Sequence, residues 1–73
     1  MTALIAGDDG LDDLRIITSG AAEWLVPGGL LVTEIGHTQA PAVMELYQVS
    51  GFTGVEVHKD LAGRDRFVSG VRS

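Results

Sequence analysis

Cysteine is absent from the 73 residues, which excludes both disulfides and thiolate metal sites. Histidine and proline occur twice each, as His37, His58, Pro27 and Pro41. Two histidines without ligand-like spacing give a small metal hydrolase little support. No apolar run approaches the ~20 residues of a membrane span. The first six residues hold no basic side chain and too short an apolar stretch for a secretory signal, so a cytoplasmic protein is expected. Basic residues are also few, five against ten acidic ones, for a net charge of −5. That balance argues against non-specific nucleic-acid binding. There are no internal repeats and no low-complexity segment.

What the chain does have is apolar content. Hydrophobic residues make up 45% of it, and mean hydropathy is +0.24, on the apolar side for so small a domain. A chain of this length buries only about 60% of the surface its unfolded form exposes. Without disulfides or a thiolate metal site it depends on close packing or on another chain, and some of its apolar surface is expected to sit against a partner. Charge is uneven along the sequence. Asp8, Asp9, Asp12 and Asp13 crowd one end, and Lys59, Arg64, Arg66 and Arg72 fall in the last fifteen residues.

The order of elements reads helix, strand, helix, strand, strand. Residues 1–9 read as an irregular or weakly extended lead-in. Asp8-Asp9-Gly10 offers a helix start, with an aspartate to cap the first free N–H groups and with Asp12 and Asp13 suited to the positive end of the helix dipole. Leu14, Ile17, Ala21, Trp24 and Leu25 recur at steps of three and four and predict one buried helical face that includes the tryptophan. Pro27-Gly28-Gly29 ends that helix. Residues 30–35 form a nearly continuous apolar run, which fits a strand covered on both faces. Thr38 is the expected N-cap of a second helix, Pro41 sits in its first turn, Val43, Leu46, Tyr47 and Ser50 share a face, and Gly51 stops it. Val55 and Val57 alternate with Glu56 and His58. Phe67, Ser69 and Val71 alternate after a turn at residues 60–65, so residues 53–71 predict a hairpin.

The junction Leu25-Val26-Pro27-Gly28-Gly29-Leu30-Leu31 resembles the helix–turn–strand passage of Rossmann-like, S-adenosylmethionine-dependent methyltransferases. Glu34-Ile35-Gly36-His37-Thr38-Gln39, Gly51-Phe52-Thr53-Gly54-Val55 and Asp60-Leu61-Ala62-Gly63-Arg64-Asp65-Arg66, in that order and spacing, are similar to the C-terminal end of HemK-type enzymes. Those enzymes methylate the glutamine of the Gly-Gly-Gln motif in peptide-chain release factors. Ala3-Leu4-Ile5-Ala6-Gly7-Asp8-Asp9-Gly10-Leu11 resembles the segment that follows the family's Asn-Pro-Pro-Tyr loop, so the resemblance covers nearly the whole chain. It implies an α/β fold: a two-layer piece of a methyltransferase catalytic domain over residues 1–73, with a lead-in at 1–9 and an α/β unit at 10–73. The implied sheet is mixed and three-stranded, with an antiparallel C-terminal hairpin. Its last strand inserts between strand 30–36 and the first hairpin strand, and both helices lie on one face. Strand 30–36 is then expected to have a bare edge, where its preceding parallel neighbour would pair, and a bare face.

The family's cofactor site is a glycine-rich turn after a strand, with an acidic residue at the end of the next strand. Here Gly28 and Gly29 follow a helix and precede a strand, the reverse order. Asn-Pro-Pro-Tyr is also missing. No catalytic, cofactor or metal residue carries over, and the chain alone is expected to be inactive, without S-adenosylmethionine. The intact enzyme implied by the resemblance would move a methyl group from S-adenosylmethionine to the glutamine amide of a release factor, chiefly by positioning. Candidate substrate-rim residues are Glu34, His37, Arg64 and Arg66, because ligands gather at the carboxyl ends of strands in such sheets. The structural alternatives are equally concrete. Glu34 could accept loop N–H groups or an arginine, His37 could be a polar loop residue, and Asp60 could pair with Arg66 across the hairpin neck. A function of another class also fits: a free-standing dimeric interaction module, derived from a truncated methyltransferase, that binds an acidic partner through Lys59, Arg64 and Arg66. In either case the chain is expected to self-associate through its exposed sheet.

Overall fold

The computed structural model describes residues 2–6 and 11–73, with side chains from residue 14 onward. Six elements follow in order: β1 (Thr2–Ala6), α1 (Leu11–Trp24), β2 (Leu30–Glu34), α2 (Ala40–Val49), β3 (Phe52–Lys59) and β4 (Asp65–Arg72). The sheet order is β1-β2-β4-β3. β4 therefore inserts between β2 and β3, antiparallel to both, as the resemblance implied. The lead-in goes further than a weakly extended segment. Thr2–Ala6 pairs parallel with β2, Thr2 opposite Leu30 and Ala6 opposite Glu34, and adds a fourth strand. The edge of β2 expected to be bare is thus occupied. Five residues are too few for periodicity to reveal a strand that forms only by pairing. The capping role of Asp8 and Asp9 lies outside the described residues, as do the side chains of Asp12 and Asp13.

Burial along β2 alternates. Leu31 and Thr33 are fully buried, while Leu30, Val32 and Glu34 are half-buried on the other side of the strand. Both helices pack on the first of these faces, where Leu14, Ala21 and Leu25 of the α1 segment and Ala40, Val43 and Tyr47 of α2 join Leu31, Phe52 and Val68 in one core. On α1 the buried line runs Leu14, Thr18, Ala21 and Leu25. Thr18 sits in it at no polar cost, because its hydroxyl donates to the Leu14 carbonyl at 2.9 Å. Trp24 is a correction: it is 53% exposed. One residue is 100° of helix, so with Leu25 at the centre of the buried line Trp24 falls on its flank.

The N-cap of α2 is Gln39 rather than Thr38. No side chain caps its N-terminus. Instead Gln39 Oε1 accepts the Gly36 N–H at 2.8 Å, and Gln39 N donates to the Gly36 carbonyl, closing the turn in which Thr38 lies exposed. Pro41 occupies the first turn, and Gly51, at φ 92°, ends the helix. The heart of the core is Tyr47. Its hydroxyl donates to the Val68 carbonyl at 2.9 Å and meets Thr33 Oγ1 at 2.9 Å. Its ring passes over Gly70, where an added Cβ would lie 2.6 Å from Cδ2. The final strand therefore turns Val68 and Gly70 toward the helices. Phe67, Ser69 and Val71, the alternating set legible in the sequence, line the opposite face with Leu30 and Val32. Neither described helix covers that face.

Candidate functional site

The carboxyl end of β2 and the β3–β4 loop meet at one end of the sheet. The loop is closed mainly by Asp60. Its N–H donates to the Arg64 carbonyl at 2.9 Å, and its carbonyl accepts the Gly63 N–H at 3.0 Å. Its Oδ1 accepts the Ala62 and Arg64 N–H groups at 2.9 and 3.0 Å. Gly63 has φ 79°, a conformation a side chain would strain. The Arg64 N–H, helped by that of Ala62 and by the Arg64 and Arg66 charges, holds the Asp60 carboxyl below its usual range. Asp60 is thus committed to the loop backbone. The neck is closed instead by Lys59 and Asp65, 2.7 Å apart, which corrects the expected Asp60–Arg66 pair.

Arg66 turns to β2. Its Nη2 lies 2.8 Å from Glu34 Oε2, and its carbonyl accepts the Ile35 N–H at 2.8 Å. The acid in the apolar strand therefore has a cation, and the half-buried carboxylate is compensated. Between strand end and loop lies a shallow cleft of about 180 Å³, lined by Ile35, Gly36, His37, Asp60, Arg64, Asp65 and Arg66. Of the four rim candidates, His37, Arg64 and Arg66 border this cleft, and Glu34 adjoins it through Arg66. His58 is elsewhere: its Nε2 is 2.7 Å from Ser69 Oγ on the open face. Among the described residues no group of three or more potential ligands is placed to hold a metal.

A larger groove, about 430 Å³, runs between α1 and α2, bordered by Arg15, Ser19, Ala42, Glu45, Leu46, Val49 and Ser50. Sequence reasoning passes over it, because its walls come from two helices and share no motif. The glycine pair does not fit a methyl-donor site. Gly28 N donates to the Arg72 carbonyl at 2.8 Å, and the Gly29 carbonyl accepts the Arg72 N–H at 2.9 Å. A Cβ on Gly29 would lie 2.7 Å from Leu25 Cγ. Gly29 serves close packing, Gly28 supplies a positive φ of 84° with open space around it, and together they tie the turn to β4.

No family model matches the chain. It is 48% identical over 69 residues to a release factor glutamine methyltransferase of Xylella fastidiosa, covering 94% of this chain and 25% of that protein. It is 51% identical over 67 residues to one from Cereibacter sphaeroides, covering 92% of this chain and 24% of the relative. The chain thus spans about a quarter of the length of the curated relatives it matches. Among solved structures, a release-factor-specific protein-(glutamine-N5) methyltransferase of Alicyclobacillus acidocaldarius superposes with a TM-score of 0.72 at 29% identity, over 93% of this chain and 45% of that one.

Proposed function

Since the chain belongs, as a C-terminal piece, to the release factor glutamine methyltransferases, we propose that it forms the C-terminal wall of such an enzyme. The observation that carries this reading is 48% identity sustained across 94% of the chain. The intact cytoplasmic enzyme would transfer a methyl group from S-adenosylmethionine to the side-chain amide nitrogen of a glutamine in a peptide chain release factor. S-adenosylmethionine supplies the methyl group when bound, and the Gly28–Gly29 turn, engaged with Arg72 and Leu25, is not suited to hold it. What these residues contribute is placement. The Glu34–Arg66 pair ties β2 to β4, the closed 60–65 loop stands beside it, and His37 and Arg64 border the cleft on the side where such sheets meet their ligands. A rigid rim of this kind lowers the cost of orienting a protein substrate.

The decisive experiment is a chimera. The Xylella fastidiosa enzyme would carry this chain in place of its matched 69 residues, and methyl transfer to release factor would be measured. Transfer within about tenfold of the parent enzyme is expected. A chimera that folds and binds S-adenosylmethionine yet transfers no methyl group would refute the reading. By itself the chain should give no heat on titration with S-adenosylmethionine. The open face of the sheet favours one further property of the isolated chain, self-association through Leu30, Val32, Phe67 and Val71.

A further inference from the structure

We propose that the 60–65 loop is a docking knob for the protein substrate, with Leu61 as apolar anchor and Arg64 as the cation that draws an acidic side chain into the adjoining cleft. The inference rests on the reading above and adds to it the chemistry of the contact: a substrate segment carrying a carboxylate beside an apolar hollow.

Three observations converge. Leu61 is 110% exposed at the loop tip, so its side chain contributes no packing to this fold, and burying it against a partner removes apolar surface from water. The loop beneath it is held by four hydrogen bonds within residues 60–64, so presenting that leucine requires little further ordering on binding. The charges are already apportioned. Lys59 pairs with Asp65 and Arg66 with Glu34, while the Arg64 guanidinium forms no ion pair among the described residues. Asp60, whose carboxyl feels the Arg64 charge, has its Oδ1 occupied by two backbone N–H groups. Arg64 is therefore the cation available to an incoming carboxylate, and the cleft it borders with His37, about 180 Å³, is on the scale of a side chain rather than of a cofactor. The chain's net charge of −5 means that attraction of an acidic segment must come from this local cation, and it should be screened by salt.

The test is direct binding of purified release factor to the 73-residue chain by interferometry, with circular dichroism to verify that each variant is folded. Leu61→Asp and Arg64→Glu are each expected to weaken binding by about tenfold or more, as central anchors do. Arg64→Lys should recover part of the loss, and Arg64→Glu should flatten the salt dependence. Ile16→Asp, on an exposed residue of α1 outside both clefts, should bind as the parent does. Equal binding by all four variants overturns the proposal, and so does an unmodified chain that binds no release factor. Methyl transfer by the chimera reports the wider reading independently of either result.

Discussion

The two faces of one sheet have very different polar arrangements. On the helix-covered face the described side chains around Tyr47 close upon one another. Tyr47, Thr33 and Val68 exchange hydrogen bonds at 2.9 Å, Phe52 tilts against the Tyr47 ring at 5.4 Å, and Gly70 is a glycine because that ring leaves no room for more. On the open face the same strands carry half-buried Leu30, Val32, Phe67 and Val71, with polar pairs set among them: Glu34 with Arg66 and His58 with Ser69. The first face fixes the fold. The second is apolar enough to want a cover and polar enough to persist without one. A substitution on the first should therefore be read out as stability, and one on the second as association.

The largest effect is expected at Tyr47. Tyr47→Ala removes the ring and its hydroxyl and should cost about 3–5 kcal/mol, most or all of the stability of so small a domain; loss of the cooperative urea transition followed by circular dichroism would show it. Gly70→Ala forces a methyl group toward the ring and should cost about 1–3 kcal/mol in the same assay. Tyr47→Phe keeps the ring but leaves Thr33 and the Val68 carbonyl short of a partner, at about 1–2 kcal/mol. It also tests a pH dependence. Burial, opposed by the Thr33 hydrogen bonds, pushes the Tyr47 hydroxyl up to about 12 from an ordinary value of 10.0. The stability this represents is fully present below pH 10 and is lost as pH rises through about 12, because the unfolded chain releases the proton first. Tyr47 is the one tyrosine in the chain, so tyrosinate absorbance reports it alone, and the Phe variant should lack that alkaline loss. The smallest effect on stability belongs to the open face. Val32→Thr with Val71→Thr should change it by less than about 1 kcal/mol while shifting sedimentation toward the monomer. A parent chain that already sediments as a monodisperse monomer at high concentration would remove the contrast on which the pair is chosen.

The inserted final strand and the position of both helices were legible because they rest on long, strongly patterned segments and on a resemblance that spans them. The fourth strand was not, since Ala3-Leu4-Ile5-Ala6 takes its form from β2. Trp24 was misplaced because a 14–17–21–24 line and a 14–18–21–25 line are both helical, and the apolar type of Ile17 outvoted Thr18, whose hydroxyl is satisfied by its own helix. At the site, the type of partner for Glu34 could be anticipated, but its identity could not: Arg66 and Asp60 both stood in a charged turn, and only the loop's own N–H groups decide that Asp60 stays with the backbone.

The strand order also bears on how the gene tolerates damage. Among the described residues, every strand pair apart from β1–β2 includes β4. A premature stop within Asp65–Arg72 would leave β3 with no partner and Tyr47 without its Val68 acceptor, taking out the middle of the sheet rather than trimming its border. Such shortened products should appear in the insoluble fraction or be degraded, and finding them soluble and cooperatively folded would show that β2 and β3 can close directly on each other.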